Sequence, residues 1–205
     1  MINKLAILGS GELGRQYRHH ATINNLVKDV LFYDDFYTGP HIQGKSTDLL
    51  NDYSEKKFDA MLIAIGYNHL QKKSELYQMF ENKIPFATLI HPTAYIDATA
   101  VIAPGTVIYP NCTIDKNVVI GPNTLINLNC TIAHDTTIGS NNFLAPDVAI
   151  AGFCKIGNKC FIGINATIID NTIINDMVRI GAGSVVISHL TESGTYVGNP
   201  AKKIK

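Results

Sequence analysis

An aliphatic residue recurs at every sixth position through nearly half of this chain. Counted in sixes from Ile90 to Val186, every place holds Ile, Leu or Val without a slip. A period of six suits neither a single α-helix nor a β-hairpin. It is typical of a parallel β-helix in which each hexad forms one short strand and a corner. Three hexads close one coil, so the repeat predicts about five coils with the aliphatic side chains stacked inside.

Two further phases of the hexad support this register. A small or modest side chain lies two places before each aliphatic residue, and all four cysteines occupy this phase. We therefore expect the cysteines to be free thiols that fill the core. Another phase holds mostly Asn and Asp, which tolerate a left-handed backbone and hydrogen-bond their own turns. This phase predicts a ladder of corners at Asn111, Asn117, Asn123, Asn129, Asp135, Asn141, Asp147, Asn165 and Asn171.

The first 88 residues follow a different pattern, in which strands and helices alternate. Apolar runs predict strands over 5–8, 29–35, 60–66 and 84–90, and helices are predicted over 12–25 and 70–82. This alternation indicates a small Rossmann-like parallel sheet flanked by helices. We therefore predict an α/β domain over 1–88 and a β-helix domain over 89–205, whose last residues form a C-terminal cap.

A glycine-rich turn, GSGELG at 9–14, follows the first strand and opens the first helix. In this context the motif predicts a phosphate cradle, with the backbone of Ser10 and Gly11 facing the ligand. An acidic pair, Asp34 and Asp35, comes about twenty residues later and could hold ribose hydroxyls or a base edge. The alternative is a glycine turn needed only for tight packing between strand and helix.

The size of this domain limits the ligand. A dinucleotide fold needs two βαβαβ halves, and 88 residues supply little more than one, so a nucleotide diphosphate fits better. Gly66 and Asn68 follow the third strand at the carboxyl edge, where open sheets bind ligands, although a plain turn would explain them equally well.

His134 is the one histidine deep within the repeat. It comes two places after Ile132, outside both inward phases, so its side chain is expected on the surface near a corner or against a neighbouring subunit. An imidazole there can accept a proton from an attacking nucleophile near neutral pH. Asp135 could orient that ring, but it also fills a corner place that is mostly Asn, and both interpretations stay open.

Composition excludes several classes of protein. With 17 basic and 17 acidic residues the net charge is zero, which gives no general attraction to nucleic acid or to anionic membranes. The apolar run near the start is broken by glycines, so no signal peptide and no membrane insertion are predicted. Together with free cysteines, this favours a cytoplasmic protein.

The whole chain resembles the sugar N-acetyltransferases of the PglD, NeuD and perosamine N-acetyltransferase type. The resemblance is carried by motifs spread over nearly the full length: GSGELG, FYDDF (32–36), AIGYN (64–68), LIHPTAYI (89–96), IAHDTTIG (132–139), AGFCKIGNKCFIG (151–163) and YVGNPAKKI (196–204). It implies that the β-helix is left-handed and that the protein is a homotrimer, with CoA between adjacent β-helices.

The resemblance also implies roles for individual residues. His134 corresponds to the general base, Asp135 stands where glutamate is more usual, and Asn127 corresponds to a polar residue near the sugar amine. Gly152 corresponds to a backbone N–H that meets the thioester carbonyl. The nucleotide-holding positions are Ser10, Gly11, Asp34, Asp35 and Gly66; the pantetheine groove includes Ile164, Gly181 and Ala182, with Lys202 and Lys203 near the phosphates of CoA.

The implied activity is transfer of acetyl from acetyl-CoA to the 4-amino group of a nucleotide-linked 4-amino-4,6-dideoxysugar, with UDP as the favoured carrier, in bacterial surface glycan biosynthesis. No metal is expected. Three alternatives remain: O-acetylation of a sialic acid or other sugar hydroxyl, a zinc enzyme of the γ-carbonic anhydrase type, and a non-catalytic nucleotide-sugar binding module. Zinc would require three converging histidines, and His91, His134 and His189 are too far apart in the register to meet readily.

Overall fold

The computed structural model describes residues 2–205, which divide into one unit that ends at residue 89 and a second over 90–205. The first unit has a parallel sheet in the order β3-β2-β1-β4. Its regular elements are β1 Ile2–Leu8, α1 Glu12–Ile23, β2 Val27–Tyr33, β3 Ile42–Gly44, α2 Leu49–Ser54, β4 Ala60–Ile63 and α3 Leu70–Phe80, with single 3₁₀ turns at Ser46–Asp48 and Tyr67–His69.

Two neighbouring strands of this sheet, β1 and β4, are buried where their sequences are continuously apolar. All of β4 and the second half of β1 are inaccessible to solvent, as expected for parallel strands covered on both faces. Helix α1 turns Gly14, Tyr17 and Ala21 inward, which is the spacing of one helical face. Helix α3 also buries Lys73, and burial lowers the pKa of this ammonium to about 7.

The predicted elements of the first unit are largely confirmed, and one is wrong. Both predicted helices form and each ends two residues early; α1 ends where Asn25 adopts a left-handed backbone, φ 54°. The strand predicted over 84–90 does not form as one element; only its end, Leu89–Ile90, is a strand, and that strand belongs to the coils. Pro85 lacks an N–H, so Phe86 makes only an isolated bridge to Met61. The sequence analysis also missed β3 and α2.

The second unit is a parallel β-helix in which seventeen short strands occupy three faces, which makes nearly six coils rather than five. The strands are β5 Leu89–Ile90, β6 Tyr95–Ile96, β7 Val101–Ile102, β8 Val107–Ile108, β9 Thr113–Ile114, β10 Val119–Ile120, β11 Leu125–Ile126, β12 Thr131–Ile132, β13 Thr137–Ile138, β14 Phe143–Leu144, β15 Ala149–Ile150, β16 Lys155–Ile156, β17 Phe161–Ile162, β18 Thr167–Ile168, β19 Ile173–Ile174, β20 Val178–Ile180 and β21 Val185–Val186.

Every third strand shares a face, and each residue stacks on the residue eighteen places away. Ile132 pairs with Ile114 on one side and with Ile150 on the other, and all three are buried. The predicted register is therefore confirmed: the sixfold aliphatic residue lines the inside of the coils. The backbone of each coil is satisfied by hydrogen bonds to the next coil, as in the bond from Ala133 N–H to the Ile150 carbonyl at 2.9 Å.

The small inward-facing residues also link neighbouring coils, because their hydroxyl and thiol groups donate hydrogen bonds to backbone carbonyls of the next coil. Thr136 donates its hydroxyl to the Ala151 carbonyl at 3.0 Å, and Cys130 donates its thiol to the Ala145 carbonyl at 3.2 Å. Cys112, Cys154 and Cys160 make the same fifteen-residue contact, and all four cysteines are free and buried. The prediction that they fill the core is confirmed.

The corner ladder adopts the predicted left-handed backbone. From Asn111 to Met177 every sixth residue has φ between 54° and 61°. Beyond the coils, β22 Gly194–Val197 adds to β20 in parallel, and β23 Lys202–Lys203 turns back against β22. These two strands close the edge of one face at the end of the chain, as the predicted cap requires.

Candidate active site

His134 lies at the corner between β12 and β13, where the chain passes from one face of the prism to the next. The following residue, Asp135, takes the left-handed conformation of the ladder, φ 57°. A hydrogen bond from the Phe153 N–H to the His134 carbonyl, 3.1 Å long, ties this corner to the coil that follows. The imidazole points outward, and 46% of its side chain is exposed, as the register predicts.

Asp135 and Asn117 fix the orientation of this ring. One carboxylate oxygen of Asp135 lies 2.9 Å from the Nδ1 atom of His134, and the other accepts a 2.9 Å hydrogen bond from the Asn117 side-chain amide. These two hydrogen bonds, from Asn117 and then from His134, lower the pKa of Asp135. An ionised carboxylate can only accept, so Nδ1 carries the proton of a neutral ring, and Nε2 presents a lone pair.

Gly152 and Phe153, one coil further on, complete the surroundings of the ring. A Cβ atom on Gly152 would come within 2.9 Å of His134 Cε1 and 3.0 Å of Nε2, so the imidazole packs directly over this glycine. The Phe153 ring meets the imidazole edge to face, with 5.0 Å between centroids and an 88° angle. The N–H of Gly152 donates no hydrogen bond to another residue within 2–205.

Asn127 lies at a different corner, after β11. Its side-chain oxygen accepts the N–H of Leu128 at 2.9 Å, and its carbonyl accepts the Cys112 thiol at 2.9 Å. The first contact engages the side chain of Asn127 in its own turn and the second fixes its backbone to the preceding coil, so a role near a sugar amine stays a prediction.

Two of the predicted cofactor residues, Ile164 and Ala182, do not share an edge with His134. Ile164 follows β17 and Ala182 follows β20, so both precede β18 or β21 at one corner of the prism, and Ile164 is 53% exposed. His134 and Gly152 instead lie at the corner that leads to β13 and β16. One copy of the coil unit therefore brings Gly152 to His134 but keeps Ile164 and Ala182 on another edge.

The remaining predicted cofactor positions lie at the end of the coils. Gly181 donates its N–H to the Tyr196 carbonyl at 2.8 Å, and a Cβ there would meet the Val197 side chain, so this glycine is needed for packing against β22. Lys202 is exposed in β23, whereas Lys203 forms a 2.8 Å ion pair with Glu192.

In the first unit, the glycines of the turn over 9–14 differ in how closely they are packed. Gly9 has φ 107°, and a Cβ there would lie 2.6 Å from the Ala64 carbonyl oxygen; Gly14 approaches the Gly9 carbonyl even more closely. Packing alone therefore explains both residues. Gly11 is different because a Cβ there would meet nothing within 4 Å. With Ser10 it borders an open cleft of about 700 Å³.

Asp34 is occupied by the turn itself. One carboxylate oxygen accepts the N–H and hydroxyl of Ser10 at 2.8 and 2.7 Å, and the other accepts the N–H groups of Phe36 and Tyr37 at 2.9 and 3.0 Å. Burial raises the pKa of Asp34, but these hydrogen bonds outweigh it and keep the pKa below its ordinary value. Asp35 similarly accepts the N–H and hydroxyl of Ser46. Both carboxylates hold loops in this structure, and a role in holding ribose hydroxyls or a base edge stays a prediction.

Sequence reasoning missed the basic side chains that line this cleft. Arg15 and Arg18 of α1 border it together with Tyr37 and His41. The signal was present, since both arginines follow the glycine turn on one face of the helix that it opens. Gly66 and Asn68 follow β4 and lie outside this cleft lining; Asn68 belongs to the 3₁₀ turn Tyr67–His69.

Residues 2–205 contain no group of three or more His, Cys, Asp or Glu side chains arranged to hold a metal ion, so the zinc alternative lacks a ligand set there. In the same residues, no helix combines the length and apolar character needed to cross a membrane.

Two stretches of the coil unit match a known family model. Residues 93–128 and 153–188 match the family described as bacterial transferase hexapeptide (six repeats). No curated protein matches the sequence of this chain.

Solved structures match over the full length of both units. The acetyltransferase domain of PglB from Neisseria gonorrhoeae, in complex with acetyl coenzyme A, is 26% identical with a TM-score of 0.88, and the match covers 98% of this chain and 99% of that one. PerB from Caulobacter crescentus, in complex with CoA and GDP-perosamine, is 22% identical with a TM-score of 0.89 over 100% of both chains. WeeI from Acinetobacter baumannii is 23% identical with a TM-score of 0.82, over 98% of this chain and 99% of that one. These matches confirm the resemblance that the motifs indicate.

Proposed function

We infer that this chain is a sugar N-acetyltransferase that takes its acetyl group from acetyl-CoA. The inference depends on one observation above all: an exposed imidazole, held by a carboxylate at Nδ1 and packed on a glycine, leaves Nε2 free to accept a proton. The likeness over both units to an acetyltransferase domain solved with acetyl coenzyme A supports the donor. The likeness to PerB, solved with GDP-perosamine, supports a nucleotide-linked amino sugar as acceptor.

The reaction is a direct transfer. The sugar amine attacks the thioester carbonyl while His134 Nε2 takes its proton, and the carboxylate of Asp135 stabilises the imidazolium that forms. The N–H of Gly152 is the proposed donor to the developing oxyanion. When the C–S bond breaks, CoA leaves as a thiolate and takes the proton from the imidazolium, which restores the neutral ring. None of the four cysteines is needed, and all are buried.

The α/β unit is the proposed nucleotide site. Its cleft of about 700 Å³ has the size of small-ligand sites, and Arg18 supplies positive charge beside the open backbone at Gly11, whereas Arg15 is paired with Glu12 at 2.7 Å. We propose a nucleoside diphosphate in this cleft, with a 4-amino-4,6-dideoxysugar attached and UDP as the first carrier to test. We place the reaction in the cytoplasm, where acetyl-CoA is made, as a step in surface glycan biosynthesis.

We propose that the active protein is a homotrimer. His134 and Gly152 lie on one edge of the prism and Ile164 and Ala182 on another, so a groove that uses all four residues needs two copies of the chain. Light scattering combined with size-exclusion chromatography, repeated with acetyl-CoA, measures the assembly. A monomer that transfers acetyl at full rate would contradict this part of the proposal.

The test of the function is acetyl transfer by the wild type and by His134→Asn. The wild type should acetylate an amino sugar on UDP, dTDP or GDP faster than it acetylates a sialic acid. The release of CoA measures the rate, and mass spectrometry identifies the product. Asparagine can accept a hydrogen bond but cannot take the proton, so kcat should fall by roughly 100- to 10,000-fold.

The matched control is His189→Asn in the same unit. His189 accepts the Ile173 N–H through Nδ1 at 3.1 Å, a bond that the asparagine side chain can replace. This variant should keep full activity. Unchanged transfer by His134→Asn would exclude the mechanism, and transfer to hydroxyl acceptors alone would favour the O-acetyltransferase.

A further inference from the structure

Phe153 departs from the corner ladder of the coil unit. The ladder is built mainly of Asn and Asp, and Phe153 takes the same left-handed backbone, with φ 59°. A large side chain is strained in this region, whereas Asn and Asp populate it several-fold more readily. Left-handed bulky residues tend to persist where they serve a function.

Burial does not compensate for this strain. The side chain of Phe153 is 53% exposed, so it adds little to the core of the coils. Its defined contact is with the imidazole of His134, edge to face at 5.0 Å between centroids, which is a favourable aromatic geometry.

The contact supplies a restraint that the other neighbours of the ring do not. Asp135 holds one ring atom, Nδ1, and Gly152 lies under one face of the ring. Both side chains of the Nδ1 contact are partly exposed, 46% for His134 and 34% for Asp135, so water competes for this bond when the imidazole rotates about its Cα–Cβ bond. The Phe153 ring stands at right angles to the imidazole and blocks that motion from one side.

We propose that Phe153 is a positioning residue for His134. A phenylalanine lies where the corner favours Asn or Asp, and its ring holds the imidazole with Nε2 aimed at the acceptor amine. This inference depends on the proposed acetyl transfer. It assigns a role to a residue whose place in the hexad predicts only a turn.

The test replaces Phe153 by the residue that the ladder favours. Phe153→Asn should raise Tm by roughly 1–3 °C because the backbone strain is relieved. The same variant should lower kcat by roughly tenfold, with little change in KM for either substrate, because binding is intact and only the base is misplaced. Phe153→Tyr keeps the ring and should restore kcat.

Met177→Asn is the matched control. Met177 is also neither Asn nor Asp at a ladder position, with φ 58° and 52% exposure. It lies on another edge of the prism, directly before β20. This variant should raise Tm by a similar amount and leave kcat unchanged. If Phe153→Asn keeps the wild-type kcat, or if Phe153→Tyr loses as much activity as Asn, the proposal is overturned.

A readout independent of turnover separates this proposal from the proposed function. In protein labelled at histidine, the Cε1 proton of His134 should lose the ring-current shift of Phe153 in Phe153→Asn and keep it in Phe153→Tyr. If the wild type transfers acetyl to no acceptor, the proposed function fails. If the Cε1 proton does not move in Phe153→Asn, Phe153 does not position the ring, whatever the activity.

Discussion

The two units of this chain hold their polar side chains in different ways. In the coil unit a residue meets the residues eighteen places before and after it, so its neighbours can be counted from the sequence. In the α/β unit the neighbours come from segments with no fixed spacing, as when Asp34 accepts the N–H of Ser10, which lies 24 residues earlier. Repetition therefore makes contacts predictable, and its absence makes them depend on the tertiary fold.

This difference changes how a functional residue is recognised. In the coils, a residue that breaks the repeat stands out: His134 lies outside both inward phases, and Phe153 replaces the Asn or Asp of its corner. In the α/β unit the conspicuous acidic residue, Asp34, is used by the turn, and the basic side chains of the cleft attract no attention in the sequence. Asp135 in the coil unit and Asp34 in the α/β unit allow the two units to be compared by the same substitution, aspartate to asparagine.

The largest effects are expected when each of these aspartates is replaced by asparagine. Asp135→Asn keeps a residue that suits a left-handed corner, so Tm should hardly change. Its amide would offer an N–H to Nδ1 and favour the wrong tautomer of His134, which should lower kcat by roughly 100-fold. Steady-state kinetics beside a thermal melt measures both quantities. An active Asp135→Asn would leave this residue with a turn role alone.

The same change in the other unit should act on stability. Asp34→Asn turns an amide N–H towards the Ser10 N–H and loses a charged acceptor, which should lower the free energy of unfolding by about 2 kcal/mol. Urea titration followed by fluorescence of the tyrosine-rich first unit measures this loss. Full stability in Asp34→Asn would remove the contrast between the units.

Gly152→Ala should come next in size. The added Cβ meets the imidazole, which can swing away, so kcat should fall by about tenfold while stability is kept. Gly139→Ala gives the opposite pattern because a Cβ there meets the Gly157 carbonyl oxygen at 2.8 Å, which cannot move. Kinetics and thermal melts of the two variants should separate them, and loss of fold in Gly152→Ala would contradict the assignment.

The smallest effect expected is a pH dependence of the α/β unit. The pKa of Lys73 falls to about 7 on burial, so the unfolded chain binds more protons than the folded chain above that pH. Stability should therefore rise with pH, by about 1 kcal/mol between pH 7 and pH 8. Lys73→Met should remove this slope, and Lys72→Met, at the exposed neighbouring position, should keep it. Urea titrations at both pH values decide the matter.

The sequence predicted most of the coil unit and less of the α/β unit, for physical reasons. The sixfold period specifies which residues face inward and which adopt the corner conformation, and the structure confirms both. Nothing comparable marks the segment over 42–54, where β3 and α2 were missed, and Pro85 prevented the ladder that the apolar run over 84–90 suggested.

The candidate site was predictable only in part. The register placed His134 outward, but the Asn117 contact to Asp135 needed the eighteen-residue stacking of the coils to be counted through. The role of Phe153 was not predicted, because its corner position indicates only a turn and its edge-to-face contact with His134 is seen only in the structure. Arg15 and Arg18 were not predicted, because the glycine motif before them indicates a phosphate site formed by backbone N–H groups and says nothing of the helix side chains.

The stacking of residues at intervals of eighteen restricts how this chain can change in length. Losing or gaining one whole turn of the prism would leave every surviving residue on its original face, whereas a deletion of one residue would rotate all later isoleucines out of the interior. We expect tolerated insertions and deletions in the coils to come in multiples of eighteen, or as loops that bulge from a corner. A β-helix of this kind therefore changes length by complete coils.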